Sequence, residues 1–297
     1  MSIRLAYHCG SWYTNNIAQL ANELNSYLSK AKKYSNSDNL KSIIVPHAGY
    51  TWCADTAAKA FININPEKFD RAVILGPSHH EYFEGCGLSK FSNFQTPFGN
   101  VKIDVDTNNM LLKEAPEIFF TLSESVDLNE HSIEQEMPFL KYIFKDKNFS
   151  ILPIMVGDSN LKYNRNIGKL LYNLYEDEKT LFVISSDFCH WGKRFGYTFY
   201  DKSYETPSES IEALDKAALE IIGRMNSEQF EDYFKKTRNT ICGRNPISIV
   251  LTMIENYQKN NSNKKVSFEC AGYSQSERVK SFNGSSVSYA AGVNFII

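Results

Sequence analysis

No stretch of this chain is long and apolar enough to cross a bilayer, and the opening "MSIRLAYHCGSWY" lacks the apolar core of a secretory signal. A basic block is missing too. No run of lysine and arginine exceeds "AKK" or "NKK", and 32 basic against 34 acidic residues leave a net charge of -2. The electrostatic footprint of a nucleic-acid or anionic-membrane partner is therefore absent. Glycines never take phosphate-loop spacing, "PHAGY" and "TPFGN" being isolated turns, so no bound nucleotide is expected. Internal repeats and long linkers are lacking as well, since "KKYSNSDN" and "KNNSNKK" are loop-sized. These absences point to a single domain over residues 1–297, working in the cytoplasm or nucleus. The six cysteines form no tight framework, and in a reducing compartment they read as buried, metal-binding or reactive thiols rather than disulfides.

What is present alternates. Unbroken apolar runs "SIIVP" (42–46), "RAVILG" (71–76), "FSILPIMVG" (149–157) and "LFVISS" (181–186) read as strands buried on both faces. Helical patterns lie between them: "NIAQLANELNSYLSKA", with Ile17, Leu20, Leu24 and Leu28 on one stripe, then "ADTAAKAF", "EHSIEQEMPFLKYIFK", "SIEALDKAALEIIGRM" and "PISIVLTMIENYQ". The alternation predicts an α/β/α sandwich around a mostly parallel sheet. Short β-like pieces in 82–104 and the late runs "KVSFECAGYS" and "SSVSYAAGVNFII" predict a mixed or antiparallel margin.

Three predicted strands run into chemistry. The first ends at His47, the second at His79 and His80, and the fourth at Asp187 and His190. In a parallel sheet these ends share one edge and converge on one cleft. A lone histidine there most often caps a helix or bonds a loop carbonyl, but imidazoles and a carboxylate gathered together suit a transition metal with open positions.

Cys242, in "NTICGRNPISIV", adds a thiol. With Asn245 as cap and Pro246 opening a helix, it would precede a helix N-terminus, where the dipole favours thiolate. It then acts as ligand or nucleophile, against the commoner fate of an inert thiol, to which we assign Cys53, Cys86 and Cys270. Glu130, His131 and Glu134 read as a helix start, the glutamates structural and His131 supporting the site from behind; His8 is equally open between structure and site.

"HCGSWY", "PHAGYTWC", "GPSHH", "TPFG", "EHSIEQEMPFL", "SSDFCHWG", "TICGRNPI" and "SSVSYAAG" together resemble the Memo proteins, the family of the mediator of ErbB2-driven cell motility, over essentially the whole chain. The resemblance implies a fold like that of the class III extradiol dioxygenases, whose members hold non-haem iron. It further implies His47, His79 and Cys242 as ligands of iron or copper, with Asp187 and His190 as catalytic neighbours. Trp12, Tyr50, His80, His131 and Arg244 would line a substrate or peptide pocket. Cysteine in place of a carboxylate departs from the ring-cleaving relatives and argues against ring cleavage.

Two functions stand at this stage. One is a metal-dependent redox protein acting on a small molecule. The other is a signalling adaptor that binds phosphotyrosine-type peptides in the same cleft and works with signalling or cytoskeletal partners. Phosphate recognition usually shows an arginine cluster, and only Arg244 adjoins the expected site, which favours the first.

Overall fold

The computed structural model describes residues 2–145 and 147–297. Its centre is five parallel strands in the order Val101–Ile103, Ser150–Val156, Arg71–Pro77, Thr180–Ser185 and Leu40–Val45. Beyond Leu40–Val45 the sheet turns antiparallel through Ser286–Ile296, which pairs with both Val266–Gln275 and His190–Trp191. The opposite margin is mixed: Ile3–Arg4 lies parallel to Asn93–Phe94, which runs antiparallel to Val101–Ile103, while Cys86–Leu88 pairs antiparallel to Ser150–Val156. The described residues thus form one twelve-stranded sheet in a single α/β domain, an α/β/α sandwich.

The central strands are apolar on both sides because each face carries its own core. Ile43, Val45, Ala72, Ile74, Leu181 and Val183 point to one, and their alternates Ile44, Val73, Leu75, Phe182 and Ile184 to the other, as the two-residue period requires. Helices Ile17–Lys30, Tyr50–Phe61 and Met137–Phe144 cover the first face, and Leu161–Leu170, Pro207–Gly223, Ser227–Thr237 and Arg244–Asn260 the second. Side chains start several of them: Asn16 accepts from the Gln19 amide, and Thr206 with Glu209 forms a capping box ahead of Pro207. No helix among the described residues is long and apolar enough to cross a membrane.

Three local expectations are corrected. Ile17 is 57% exposed, so the stripe of Ile17–Lys30 is carried by Leu20 and Leu24. "EHSIEQEMPFLKYIFK" is helical only from Met137, after a 3-10 turn at Glu134–Glu136, because the preceding backbone wraps around the Glu130 carboxylate instead. The last helix begins at Arg244 with Gly243 as its cap, and Asn245 donates its side-chain amide to the Gly157 carbonyl rather than capping. Polar helices such as Val105–Glu114, Leu161–Leu170 and Ser227–Thr237 escape the sequence reading because they carry few apolar residues, burying only Leu111, Ile167 and the Phe230–Tyr233 pair among their large side chains.

Candidate metal centre

The parallel strands all end at one edge. Leu40–Val45 hands on to His47, Arg71–Pro77 to His79, and Thr180–Ser185 to Asp187. The stretch Glu130–Ser132 crosses the same edge, fixed to it where the Ser132 hydroxyl donates to the Pro77 carbonyl at 2.8 Å. Cys242 arrives from the far side, and Gly243 lets it approach, since a Cβ there would collide with Ser186, whose hydroxyl accepts the Gly243 amide at 3.0 Å.

Ring nitrogens of His47, His79 and His131 lie within 4.8 Å of one another. The Cys242 sulfur sits 3.3 Å from His47 Nε2. His131 is the hub: the rings of His79, His47, His8 and His80 surround it with centroids 4.4, 5.4, 5.9 and 6.0 Å away, and the Trp12 ring lies against it at 4.4 Å, tilted by 34°.

Each ring is set by what holds it. His47 is buried, its Nδ1 lies 2.6 Å from the Ser185 hydroxyl, and its amide donates to Asp187 Oδ1 at 2.9 Å. Burial, reinforced by neighbouring histidines, keeps it far below the usual histidine pKa and therefore neutral. His79 Nδ1 donates to Glu130 Oε1 at 2.8 Å, which frees Nε2. Burial alone would lower its pKa, but the Cys242 sulfur and Glu130 lift it to about 10. Glu130 also accepts the amides of His79, His131 and Ser132, and against the cost of burial these donors and the His79 charge bring its pKa down to about 2.

Among the described residues the His131 ring makes no hydrogen bond, its Nδ1 lying 3.4 Å from Glu130 Oε1, and burial beside His79 lowers its pKa to about 3. His190 donates Nδ1–H toward the Phe188 and Thr240 carbonyls at 2.9 and 3.1 Å, leaving Nε2 as a base. Asp187 is buried, which raises its pKa to about 7 even though it accepts the His47 and Ala48 amides. The Cys242 thiol pKa is raised, because burial outweighs the His79 charge. The dipole argument for a free thiolate therefore fails here, the helix starting two residues later.

Not every expected residue joins the cluster. Tyr50 is buried in the core and donates its hydroxyl to the Gln135 carbonyl at 2.7 Å. Arg244 pairs with Asp158 at 2.8 Å and lines a separate hollow beside Phe230 and Lys235. His80 is exposed. A cleft of ≈ 560 Å³ opens beside Trp12 and Ala48, walled by Trp52, Arg194, Glu277 and Tyr289. Among the cysteines, Cys53 and Cys86 are buried as expected, whereas Cys270 is exposed on the margin strand Val266–Gln275.

Sequence reasoning underrated the stretch after Asn129. Glu130 orients His79, and Glu134, placed at no α-helix start, gathers the His8 amide, the Tyr13 hydroxyl and Arg4. His8 bonds Glu134 through Nδ1 at 3.1 Å. The one available signal was "EH" itself, a carboxylate adjoining an imidazole. The residues gathered here are three imidazoles, of which His79 must give up a proton before it can ligate, and a sulfur, the donor chemistry of a metal site.

A family model described as "Memo-like protein" matches residues 4–293. The chain belongs to the Memo family. Protein MEMO1 of Xenopus tropicalis is 41% identical over 291 residues, 97% of this chain and 96% of that protein. Protein MEMO1 of Homo sapiens is 40% identical over the same shares, and Protein memo-1 homolog of Caenorhabditis elegans is 39% identical over 99% of this chain and 83% of its own length. Among solved structures, an uncharacterised protein of Escherichia coli K12 shares the fold, with a TM-score of 0.53 at 14% identity, covering 84% of this chain and 99% of that one. The cluster described above is thus the metal-competent centre of a Memo-family protein.

Proposed function

We propose that this Memo-family protein holds an iron or copper ion through His47, His79 and Cys242 and performs redox or oxygen-linked chemistry on a small molecule in the cytoplasm. The observation that carries the reading is Cys242 Sγ at 3.3 Å from His47 Nε2, beside the freed nitrogen of His79. A bound ion would supply electron transfer and polarisation of a ligand oxygen. The protein supplies the rest. Asp187 clamps the His47–Ala48 backbone, His190 offers Nε2 to take or return a proton, and His131 closes the remaining side. The aromatic cleft beside Trp12 and Trp52 receives the organic partner.

A second reading, docking of a phosphotyrosine-type peptide by a signalling adaptor, gains one observation: Arg194 lines the cleft and makes no ion pair among the described residues. Metal content settles between them. Protein purified without oxygen and titrated with Fe(II) and with Cu(I) should bind one ion tightly; His47→Ala should abolish binding, while Asp187→Asn and His190→Ala keep most of it and lose turnover. Wild-type protein that binds neither ion would overturn the redox reading.

A further inference from the structure

Three groups surround the Ser185 hydroxyl: His47 Nδ1 at 2.6 Å, the Ser132 carbonyl at 2.6 Å and Glu136 Oε1 at 2.9 Å. A hydroxyl has one hydrogen to give and two lone pairs to receive. The Ser132 carbonyl can only accept, so at that separation it must take the hydroxyl hydrogen; otherwise two oxygens face each other at 2.6 Å with no proton between them. Both lone pairs of Ser185 are then left to accept. His47 must donate from Nδ1, and Glu136 must donate from a carboxylic acid. No other distribution of protons satisfies all three contacts.

From this arrangement we infer that Glu136 is a permanently protonated positioning residue, which through Ser185 fixes His47 as the Nδ1–H tautomer and so aims its Nε2 lone pair at the cluster. Independent features agree. Glu136 is 1% exposed, and no lysine or arginine pairs with it among the described residues. The titratable groups that face it, the Asp187 carboxyl, the Tyr50 hydroxyl and the Cys53 thiol, include no cation, and burial together with Asp187 holds its pKa well above the ordinary carboxylate range. The relay also ties the two histidine-bearing segments, because Ser132 adjoins His131 while Ser185 supports His47. A buried acid that never ionises is otherwise an expensive core residue, and methionine or leucine would pack there without the desolvation cost.

The inference rests on the proposed metal reading for its purpose, but not for its test. In the metal-free whole chain, long-range proton–nitrogen NMR of the imidazoles should show His47 protonated at Nδ1, and infrared difference spectra should show a protonated-carboxyl stretch lost in Glu136→Gln. Glutamine still donates to Ser185, so Glu136→Gln should keep the His47 tautomer and bind Fe(II) within about threefold of wild type. Glu136→Met removes the donor, mixes the tautomers and should weaken Fe(II) binding about 10–100-fold. The inference is overturned by Nε2–H at His47 in wild type, by an ionised Glu136, or by Glu136→Gln behaving like Glu136→Met. If Glu136→Met does not fold, the two wild-type spectra and Glu136→Gln still decide. Failure of wild type to bind Fe(II) with the tautomer as expected would sink the metal reading and leave the relay standing.

Discussion

Replacing Arg4 with methionine tests how the metal centre is supported from outside itself. The guanidinium is 1% exposed and fully engaged: Nε to Asp127 Oδ1 at 3.0 Å, Nη1 to Glu134 Oε2 at 2.6 Å, and Nη2 to the carbonyls of Asp127 and Glu130 at 2.7 and 2.9 Å. It also packs 4.3 Å from the centre of the Phe94 ring. Methionine keeps much of the volume and none of the donors. Two buried carboxylates lose their cation, and breaking a buried pair from one side costs about 3–5 kcal/mol. The orphaned carbonyls would add about 1–3 kcal/mol each if nothing relaxed, but water reaching the loop removes much of that, so we expect a total near the upper end of the pair cost, about 5 kcal/mol. Against a total stability of about 5–15 kcal/mol this is severe.

Urea unfolding at neutral pH measures it. The pH dependence supplies the sign: the pKa of Glu134 is depressed, the hydrogen bond from His8 and the charge of Arg4 overcoming burial, so its contribution is complete above the unfolded carboxylate range and lost as pH falls through the folded value. Arg4→Met raises that folded value, and the gap between wild type and variant should narrow on acidification. Adding Glu134→Gln should recover part of the loss. A cost below about 1 kcal/mol, or a gap that widens toward acid, would refute the account of Arg4 as the cation neutralising this loop.

Other outcomes follow from the same geometry. His79 is protonated below about pH 10 in the metal-free chain, so binding of Fe(II) should release at least one proton, and affinity should fall as pH is lowered; calorimetry in buffers of different ionisation enthalpy checks this, and heats independent of buffer contradict it. Cys242→Asp should preserve some Fe(II) binding while weakening Cu(I), and Cys242→Ser should lose more of both; if thiol labelling of Cys242 is equal with and without metal, the sulfur is no ligand. Lys41 is buried on strand Leu40–Val45 with its ammonium donating to the Asp177 and Thr180 carbonyls, and burial lowers its pKa to about 7. The unfolded chain therefore binds the extra proton between about pH 7 and 10.5, and stability should rise with pH across that window; Lys41→Met should flatten the rise.

The strands that build this centre could be read from the chain because a strand buried on both faces has no polar residue to interrupt it, and a parallel sheet puts every such strand's end on one edge. His47, His79 and Asp187 were legible for that reason, and the alternation of apolar runs with helical stripes gave the sandwich. Glu130, His131 and Glu134 read as the start of a helix that begins only at Met137, because the same spacing serves an amphipathic helix and a loop wound around a carboxylate; which wins depends on partners more than fifty residues away, among them the amide of His79 and the guanidinium of Arg4. The roles of Ser185 and Glu136 carry no local signature at all. A serine at a strand end and a glutamate two residues before a proline become a proton-ordered pair only when the fold brings them within 2.9 Å of each other in a buried place. Sequence thus determined which residues could reach the cleft, through local periodicity and strand direction. Tertiary structure alone decided which nitrogen of each histidine faces it, because that depends on hydrogen-bond partners supplied by segments distant in the chain.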